Sequence, residues 1–549
     1  RKEGKIVKTI NHKRNEIVGT FTKRKNFGFV VPDDREFNTD IFISKKSFNK
    51  AKNNQKVVVK ITKFPQGNKS AEGEITEIIG GINEAGVDML SLIKEYNLPY
   101  EFPDDVILEA KKVENKITKK DLQNRLDLRS KNIFTIDGED AKDLDDAIYV
   151  TKLENENYEL GVSIADVSHY VAENSKLDQE AIIRGTSIYM LDRVIPMLPK
   201  ELSNGICSLN VNEDRLCLSV ISEITPDGEI VSSDIRKAVI NVKERMSYAD
   251  VQKILDGKNK KVLKRYEKYI EDFKLMEELA KILKQKREGA GSLDLDIPES
   301  KVILDKNGFA IDIEKYKIYF ANEIIEQFML TANEIVAEKF YWLEAPFIYR
   351  VHEEPDTEKV NALNKFLFNF GYKIKSNKEK VYPKAFAEVL EKVKGREEEM
   401  VVSNLILRTL KVARYESENK GHFGIASKYY CHFTSPIRRY PDLFIHRISK
   451  YIDNSYILNE KNLEKYKEQA TKYSQTSSER EKIAQKVERE AIAIKKAEYM
   501  QNKIGKEYEG IVSGITAFGM FVELENTVEG LIKFEDLGNE YFIYNDENK

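Results

Sequence analysis

Apolar and polar positions alternate with a period of two near both ends of the chain and recur at three-to-four spacing in long stretches between. Residues 16–80 hold five short alternating runs, Ile17–Phe21, Phe27–Val31, Asp40–Ile43, Lys56–Ile61 and Glu74–Ile79, separated by turn-forming residues. Five strands in a segment of this length match an OB-type barrel. Tyr158–Val171 also alternates as strands do. Ser247-Tyr-Ala-Asp250 is a helix-start signature and opens a charged helical stretch to about Glu288. Glu323–Phe340 and Glu460–Lys503 are helical by period, the second as an exposed Glu/Lys-rich amphipathic helix. Ser187–Asn210, rich in Pro, Ser, Asn and Gly, predicts a long irregular segment of the kind that carries function. From Lys506 to Leu524 a strand, a Gly-containing turn and a second strand follow, but residues 506–549 are too few to close a five-stranded barrel. The predicted class is α+β multidomain: an OB-fold barrel, a large mixed body and an incomplete C-terminal OB-fold unit.

At 549 residues, 41% hydrophobic and 33% charged, the chain reads as a soluble globular protein of three or four domains. No apolar run of about 18 residues occurs, so no membrane span or membrane partner is expected. The start, Arg1-Lys-Glu, has neither an initiating Met nor a signal pattern and reads as a fragment of a longer protein. Cys207, Cys217 and Cys431 have no metal-type spacing and suit reduced, buried thiols in a cytoplasm. A net charge of −3 conceals an asymmetry. Residues 1–80 carry 18 Lys and Arg against 9 Asp and Glu, and the remainder 71 against 83. A basic module on an acidic body suggests polyanion binding, the bland alternative being a solvated Lys-rich surface. Phe27, Phe29 and Phe42 lie among Lys23, Arg24, Lys25 and Lys45, as a single-strand platform requires, although a single Phe is more often a core residue.

The densest chemistry is Phe134–Ala147, FTIDGEDAKDLDDA, in which Asp137, Asp143, Asp145 and Asp146 are the candidate ligands. Crowded carboxylates repel unless a cation neutralises them or water separates them. Ile133, Phe134, Ile136, Leu144, Ala147, Ile148 and Val150 would carry this segment into a core. An oxygen-only donor set suits Mg²⁺ or Mn²⁺ rather than zinc. An EF-hand does not fit, because counting from Asp137 the sixth residue is Lys142 and the twelfth Ile148. The alternative is a charged surface loop after a strand. A second cluster, Tyr429–Arg447, contains Thr434-Ser-Pro-Ile-Arg-Arg439, a helix start whose N–H groups and arginine forks can hold phosphate. His432 and His446 read as hydrogen-bonded structural groups before they read as acid–base catalysts. Tyr189 offers a flat face for a base, or a core ring. Acidic ligands, an arginine pair and strand-rich basic modules fit metal-dependent phosphodiester hydrolysis in a single-stranded nucleic acid.

Residues 134–147, 186–210 and 429–447 resemble the catalytic domain of the ribonuclease II/ribonuclease R family, and His432–Asp442 its ribonuclease R branch. The resemblance runs over nearly the whole chain. It implies a remnant of a cold-shock-type domain at 1–15, a second such domain at 16–80 and the RNB catalytic domain with its linker at 81–505. Residues 506–549 would begin an S1-type RNA-binding domain, so the chain is truncated at both ends relative to the family. The implied activity is processive 3′-to-5′ hydrolysis of RNA to nucleoside 5′-monophosphates with Mg²⁺, Mn²⁺ being the alternative, by a cytoplasmic monomer that threads a single-stranded 3′ end. By the same resemblance Asp137, Asp143, Asp145 and Asp146 hold metal. Asp143, Asp145, Arg438 and Glu479 are catalytic, with Glu488 as the alternative glutamate. Tyr189, Arg439, Asn210 and Leu295 contact substrate.

Three positions depart from the family pattern. Leu295 stands where an aromatic face of a base clamp is usual, which questions stacking by Tyr189 alone. Val211 replaces a frequent Pro and Cys431 a common Thr. The competing readings are an RNA-binding array with an inactive nuclease domain, against which the four aspartates and Arg438 argue, and a DNA exonuclease with the same metal chemistry.

Overall fold

The computed structural model describes residues 15–538 apart from 35–36, 38, 66–69, 115, 296–297, 376–379 and 454–459. Residues 1–14 of the expected domain remnant at 1–15 and the last residues of the C-terminal unit lie outside the described residues. Strands Glu16–Lys23 (β1), Phe27–Pro32 (β2), Ile41–Ser44 (β3), Gln55–Lys63 (β4) and Glu72–Gly81 (β5) close a barrel in the order β1-β2-β3-β5-β4. Alternation puts Phe21, Val30, Ile41, Ile43, Val57 and Val59 inside. Gly28 is required where Phe21 crosses the strand, because a Cβ there would lie 2.3 Å from the ring. The flanking Phe27 and Phe29 therefore point outward. With Phe42 they form a surface cluster with ring centroids 5.5–6.0 Å apart, not part of the barrel core.

The large body is organised on a seven-stranded sheet. Its strands are Leu126–Asp127 (β6), Phe134–Asp137 (β7), Asp146–Lys152 (β8), Tyr158–Ala165 (β9), Asp214–Ile224 (β10), Ile230–Asn241 (β11) and Glu244–Ser247 (β12), ordered β12-β7-β8-β9-β10-β11-β6. The interior pairings are antiparallel, and the two edge strands β12 and β6 add in parallel. Helices Tyr248–Leu255 (α1), Ile270–Ala290 (α2) and Phe320–Trp342 (α3) pack on it. Phe134 meets Tyr269 and Phe273 at 4.9 and 4.8 Å between ring centroids. Ser247 caps α1 by accepting from the Asp250 N–H at 3.1 Å, as its sequence signature predicts. Helices Thr357–Phe368 (α4), Pro383–Val393 (α5) and Glu399–Thr409 (α6) enclose a second apolar cluster.

Two expectations need correction. The run Tyr158–Val171 is not strand throughout: β9 stops at Ala165 and Val167–Tyr170 is a helical turn. The break falls at Asp166, buried and neutralised by Arg125 at 2.7 Å and by Lys450. The helix Glu460–Gln501 (α8), which follows Tyr440–Asp453 (α7), is not a peripheral exposed helix. Its 42 residues make a strut of ~63 Å with Tyr473, Ala484, Val487 and Ala491 buried. Along it Glu490 accepts from Tyr96 and Glu481 pairs with Arg350 at 2.6 Å. Three antiparallel strands, Gly510–Thr516, Gly519–Leu524 and Glu529–Lys533, follow it. The three cysteines are buried and form no disulfide.

The Asp166 triad gives a stability prediction. Asp166→Ala would leave two cations buried without a counter-charge, a change worth ~3–5 kcal/mol. Urea unfolding followed by circular dichroism should show the loss, and a cost below ~1 kcal/mol would mean that water reaches this triad.

Candidate active site

Adjacent strands and one inserted loop bring the acidic residues together. Asp137 ends β7, Asp146 opens β8, and residues 138–145 join them. This connection is pinned from below by the end of the Ser187–Asn210 stretch. Ser208 Oγ accepts from the Leu144 N–H at 3.1 Å and donates to the Lys142 carbonyl at 2.9 Å, while the Leu209 N–H donates to the Leu144 carbonyl at 3.0 Å. Arg215 holds the Ser208 carbonyl at 2.8 Å. Asp143 and Asp145 are thereby fixed on either side of the buried Leu144.

Asp145 is 4% exposed. Its Oδ1 accepts from the Ile437 N–H at 2.8 Å, and its Oδ2 is buried with no hydrogen-bond partner, 3.8 Å from Arg438 Nε. Asp137 Oδ2 is likewise buried and unpartnered. Asp143 Oδ2 accepts from the Tyr189 hydroxyl at 2.7 Å. The Tyr189 N–H in turn donates to Glu488 on α8 at 2.8 Å, so a strut on the far side of the site sets the ring's position. Burial, reinforced by the Asp146 charge, pushes Asp137 up to about 8. Burial also raises Asp146 to about 6 against the pull of Arg438 and Arg439. Asp145 is raised well above the carboxylate range by burial, although Arg438 and the Ile437 N–H oppose it.

These observations bear on a metal. Unpartnered buried carboxylate oxygens and carboxyls that burial drives toward the neutral form mark a position short of positive charge. An oxygen-only set fits a hard divalent cation. Among the described residues no three acidic, His or Cys side chains stand as a finished ligand cage, because Asp143 is turned to Tyr189 and Asp145 to Ile437.

The other expected residues divide. Arg438 is half-exposed over Asp145, steadied by a bond of 3.0 Å to Ser435 Oγ. Arg439 is not an open substrate contact. Its guanidinium turns inward to Asp442 at 2.7 Å, and its strand-like backbone bridges Thr186. The N–H groups of this turn are not free for phosphate either, since Ser435 N–H goes to Asp442 and Ile437 N–H to Asp145. Asn210 belongs to the clamp under the acidic loop, bonded to Ser208. Glu479 is exposed on α8 beside Ser478 and Arg414. Glu488, nine residues or ~13 Å along the helix, is the glutamate that reaches the site. Leu295 packs with Leu293 against the α4–α6 cluster, so its side chain is engaged in a core. His432 bonds Tyr415 at 2.8 Å and His446 the Phe433 carbonyl at 2.9 Å, both held neutral by burial. Sequence reasoning missed the role of Ser208, which lies in the Ser187–Asn210 stretch with nothing local to single it out. It also missed Tyr248, the aromatic after the α1 cap, whose hydroxyl is held well above the ordinary tyrosine value by burial and then by the charges of Asp137 and Asp146.

Comparison with known proteins gives the class. Residues 125–454 match the RNB domain, 29–103 a cold shock domain and 501–549 the S1 RNA binding domain. Fold and site together thus define a hydrolytic exoribonuclease whose catalytic unit is flanked by RNA-binding modules, and RNB nucleases depend on metal. Ribonuclease R of Thermotoga maritima is 44% identical over 548 residues, covering 99% of this chain and 77% of that protein. Mycoplasma genitalium RNase R in complex with ribose methylated single-stranded RNA superposes with a TM-score of 0.91 at 29% identity, covering 99% and 85% of the two chains. Yeast Ssd1, a pseudonuclease, shares the fold alone, with a TM-score of 0.74 at 18% identity over 96% of this chain and 66% of that one. The chain belongs to the ribonuclease R family, and its activity is 3′-to-5′ exoribonucleolytic degradation of RNA.

The raised aspartates predict how metal and pH act on stability. A carboxyl whose pKa is higher folded than unfolded contributes stability that is complete below about pH 4 and is lost as pH rises through the folded value. Metal-free protein should therefore lose melting temperature between about pH 5 and 9, across the values of Asp146 and Asp137. Added Mg²⁺ should raise the midpoint more at pH 8.5 than at pH 5.5 in differential scanning fluorimetry. An equal effect at both values would contradict the raised carboxyls.

Proposed function

We propose that the chain hydrolyses RNA processively from a single-stranded 3′ end, with Mg²⁺ (or Mn²⁺) held by Asp137, Asp143, Asp145 and Asp146, releasing nucleoside 5′-monophosphates. The single observation that carries this is the pair of buried, unpartnered oxygens of Asp137 and Asp145, the second of them 3.8 Å from the half-exposed Arg438. A bound divalent cation supplies an acidified water and neutralises charge at the scissile phosphate.

The protein's own groups do the rest. Arg438 binds the phosphate next to the broken bond, where negative charge grows during attack. Tyr189 presents its ring to the terminal base, and Glu488 fixes that ring through the backbone N–H. Asp143, whose Oδ2 accepts from the Tyr189 hydroxyl, would be one of the residues that hold the cation. Ser208 and Arg215 keep the aspartate loop from relaxing away from the charge it must hold. Cytoplasmic location and a monomeric state are part of the same proposal.

The test uses 5′-labelled RNA. The label should move progressively to a short limit product with nucleoside 5′-monophosphates released, EDTA should stop the reaction, and circular RNA should resist. Asp145→Asn keeps the volume and deletes the charge, so cleavage should fall more than ~100-fold with RNA binding retained. Cleavage of the circle, or full activity in Asp145→Asn, would overturn the reading.

A further inference from the structure

Beyond the acidic site, a hollow of about 720 Å³ opens between the end of α3, the start of α5 and residues 419–429. Its rim is aromatic and outward-facing. Tyr341 and Tyr429 lie 4.6 Å apart between ring centroids, and Trp342 packs on them at 5.4 and 6.4 Å while 69% exposed. Across the opening stands Tyr382, also exposed, beside Lys384. Lys384 and Lys428 line the hollow, and no described ion pair engages either of them. Lys420 lines it too but is held by Glu416, and Glu354 is the acidic residue among the lining side chains.

The hollow also contains the imidazoles of His352 and His422, with ring centroids 5.1 Å apart. His352 accepts from the Gly424 N–H at 3.1 Å, and a Cβ on Gly424 would meet that nitrogen at 2.9 Å. His422 Nδ1 is buried and has no hydrogen-bond partner. Burial holds both rings below the ordinary histidine value, so they are neutral donor–acceptor groups at pH 7 rather than phosphate-binding cations. Nothing in the hydrolytic reaction derived above uses these groups.

Flat exposed rings, ammonium groups at the rim and neutral polar groups inside are what base, phosphate and base edge require. The geometry points to a second nucleotide site, separate from the hydrolytic centre, that stacks one base on the exposed Trp342 ring, which Tyr341 and Tyr429 brace edge-on and at a tilt, and sets its phosphate on Lys384 and Lys428. The nucleotide is a unit of the RNA strand or a free nucleoside monophosphate, which share this chemistry. The inference rests on RNA being the substrate, but not on the roles given to the aspartates.

The chain contains one tryptophan, Trp342, so its emission reports on this rim without labelling. In EDTA, a 12-nucleotide single-stranded RNA, a nucleoside 5′-monophosphate and ribose 5-phosphate would each be titrated against the full chain. We expect saturable quenching by the RNA and none by ribose 5-phosphate. Lys428→Glu and Tyr341→Ala, both at exposed positions, should weaken that quenching at least about fivefold while hydrolysis of a short oligoribonucleotide stays unchanged. Quenching by the monophosphate but not by the RNA would support the site and assign it to free nucleotide. No saturable quenching by either, equal quenching by ribose 5-phosphate, or unchanged affinity in both variants would overturn it. Loss of hydrolysis in Asp145→Asn with quenching intact would separate the two sites.

Discussion

The bond from the Ile437 N–H to Asp145 joins residues 292 positions apart, and the geometry of the candidate site depends on it. It brings the loop before β8 against the turn before α7, so that a carboxylate and a guanidinium share one spot. Burying a carboxylate with only one oxygen satisfied is costly in itself. The surroundings sustain that cost through Ser208 and Arg215 beneath the loop, Asp442 behind the turn and Arg438 above. The uncompensated oxygen is then a standing demand for positive charge. Replacing this arrangement with a relaxed, hydrated loop would keep the sheet and lose the demand.

The α8 strut serves the same constraint from the other side. Glu488 fixes the Tyr189 backbone, and the Tyr189 hydroxyl reaches Asp143. The Tyr189 ring and the Asp143 carboxylate are therefore mechanically connected. His432 and His446, by contrast, hold a Tyr415 hydroxyl and the Phe433 carbonyl, which removes them as acid–base candidates at the site.

Much of this was legible in the sequence where local pattern decides structure. The five barrel strands, the Ser247 cap and the aspartate cluster each follow from periodicity or composition within a few residues. What was not legible depends on tertiary direction. In a helix as uniformly charged as α8, nothing local separates Glu479 from Glu488, and only packing against Tyr189 does so. Arg438 and Arg439 are adjacent and chemically identical, yet Asp442 turns one inward and leaves the other over Asp145. Phe27 and Phe29 face outward because Phe21 lies over Gly28. Leu295 stood at a motif position, but the core beside it takes up its side chain.

The central claim is that Arg438 acts on the charge that develops over Asp145, not on the grip for long RNA. Arg438→Lys keeps a positive charge and removes the planar fork, and the two side chains are not interchangeable at a phosphate. Single-turnover cleavage of the 3′-terminal bond with enzyme in excess, beside RNA affinity measured in EDTA, separates the two effects. The account predicts that cleavage slows ~10²-fold or more while affinity changes less than about threefold. Unchanged cleavage, or a loss of affinity large enough to explain the slower rate, would contradict it.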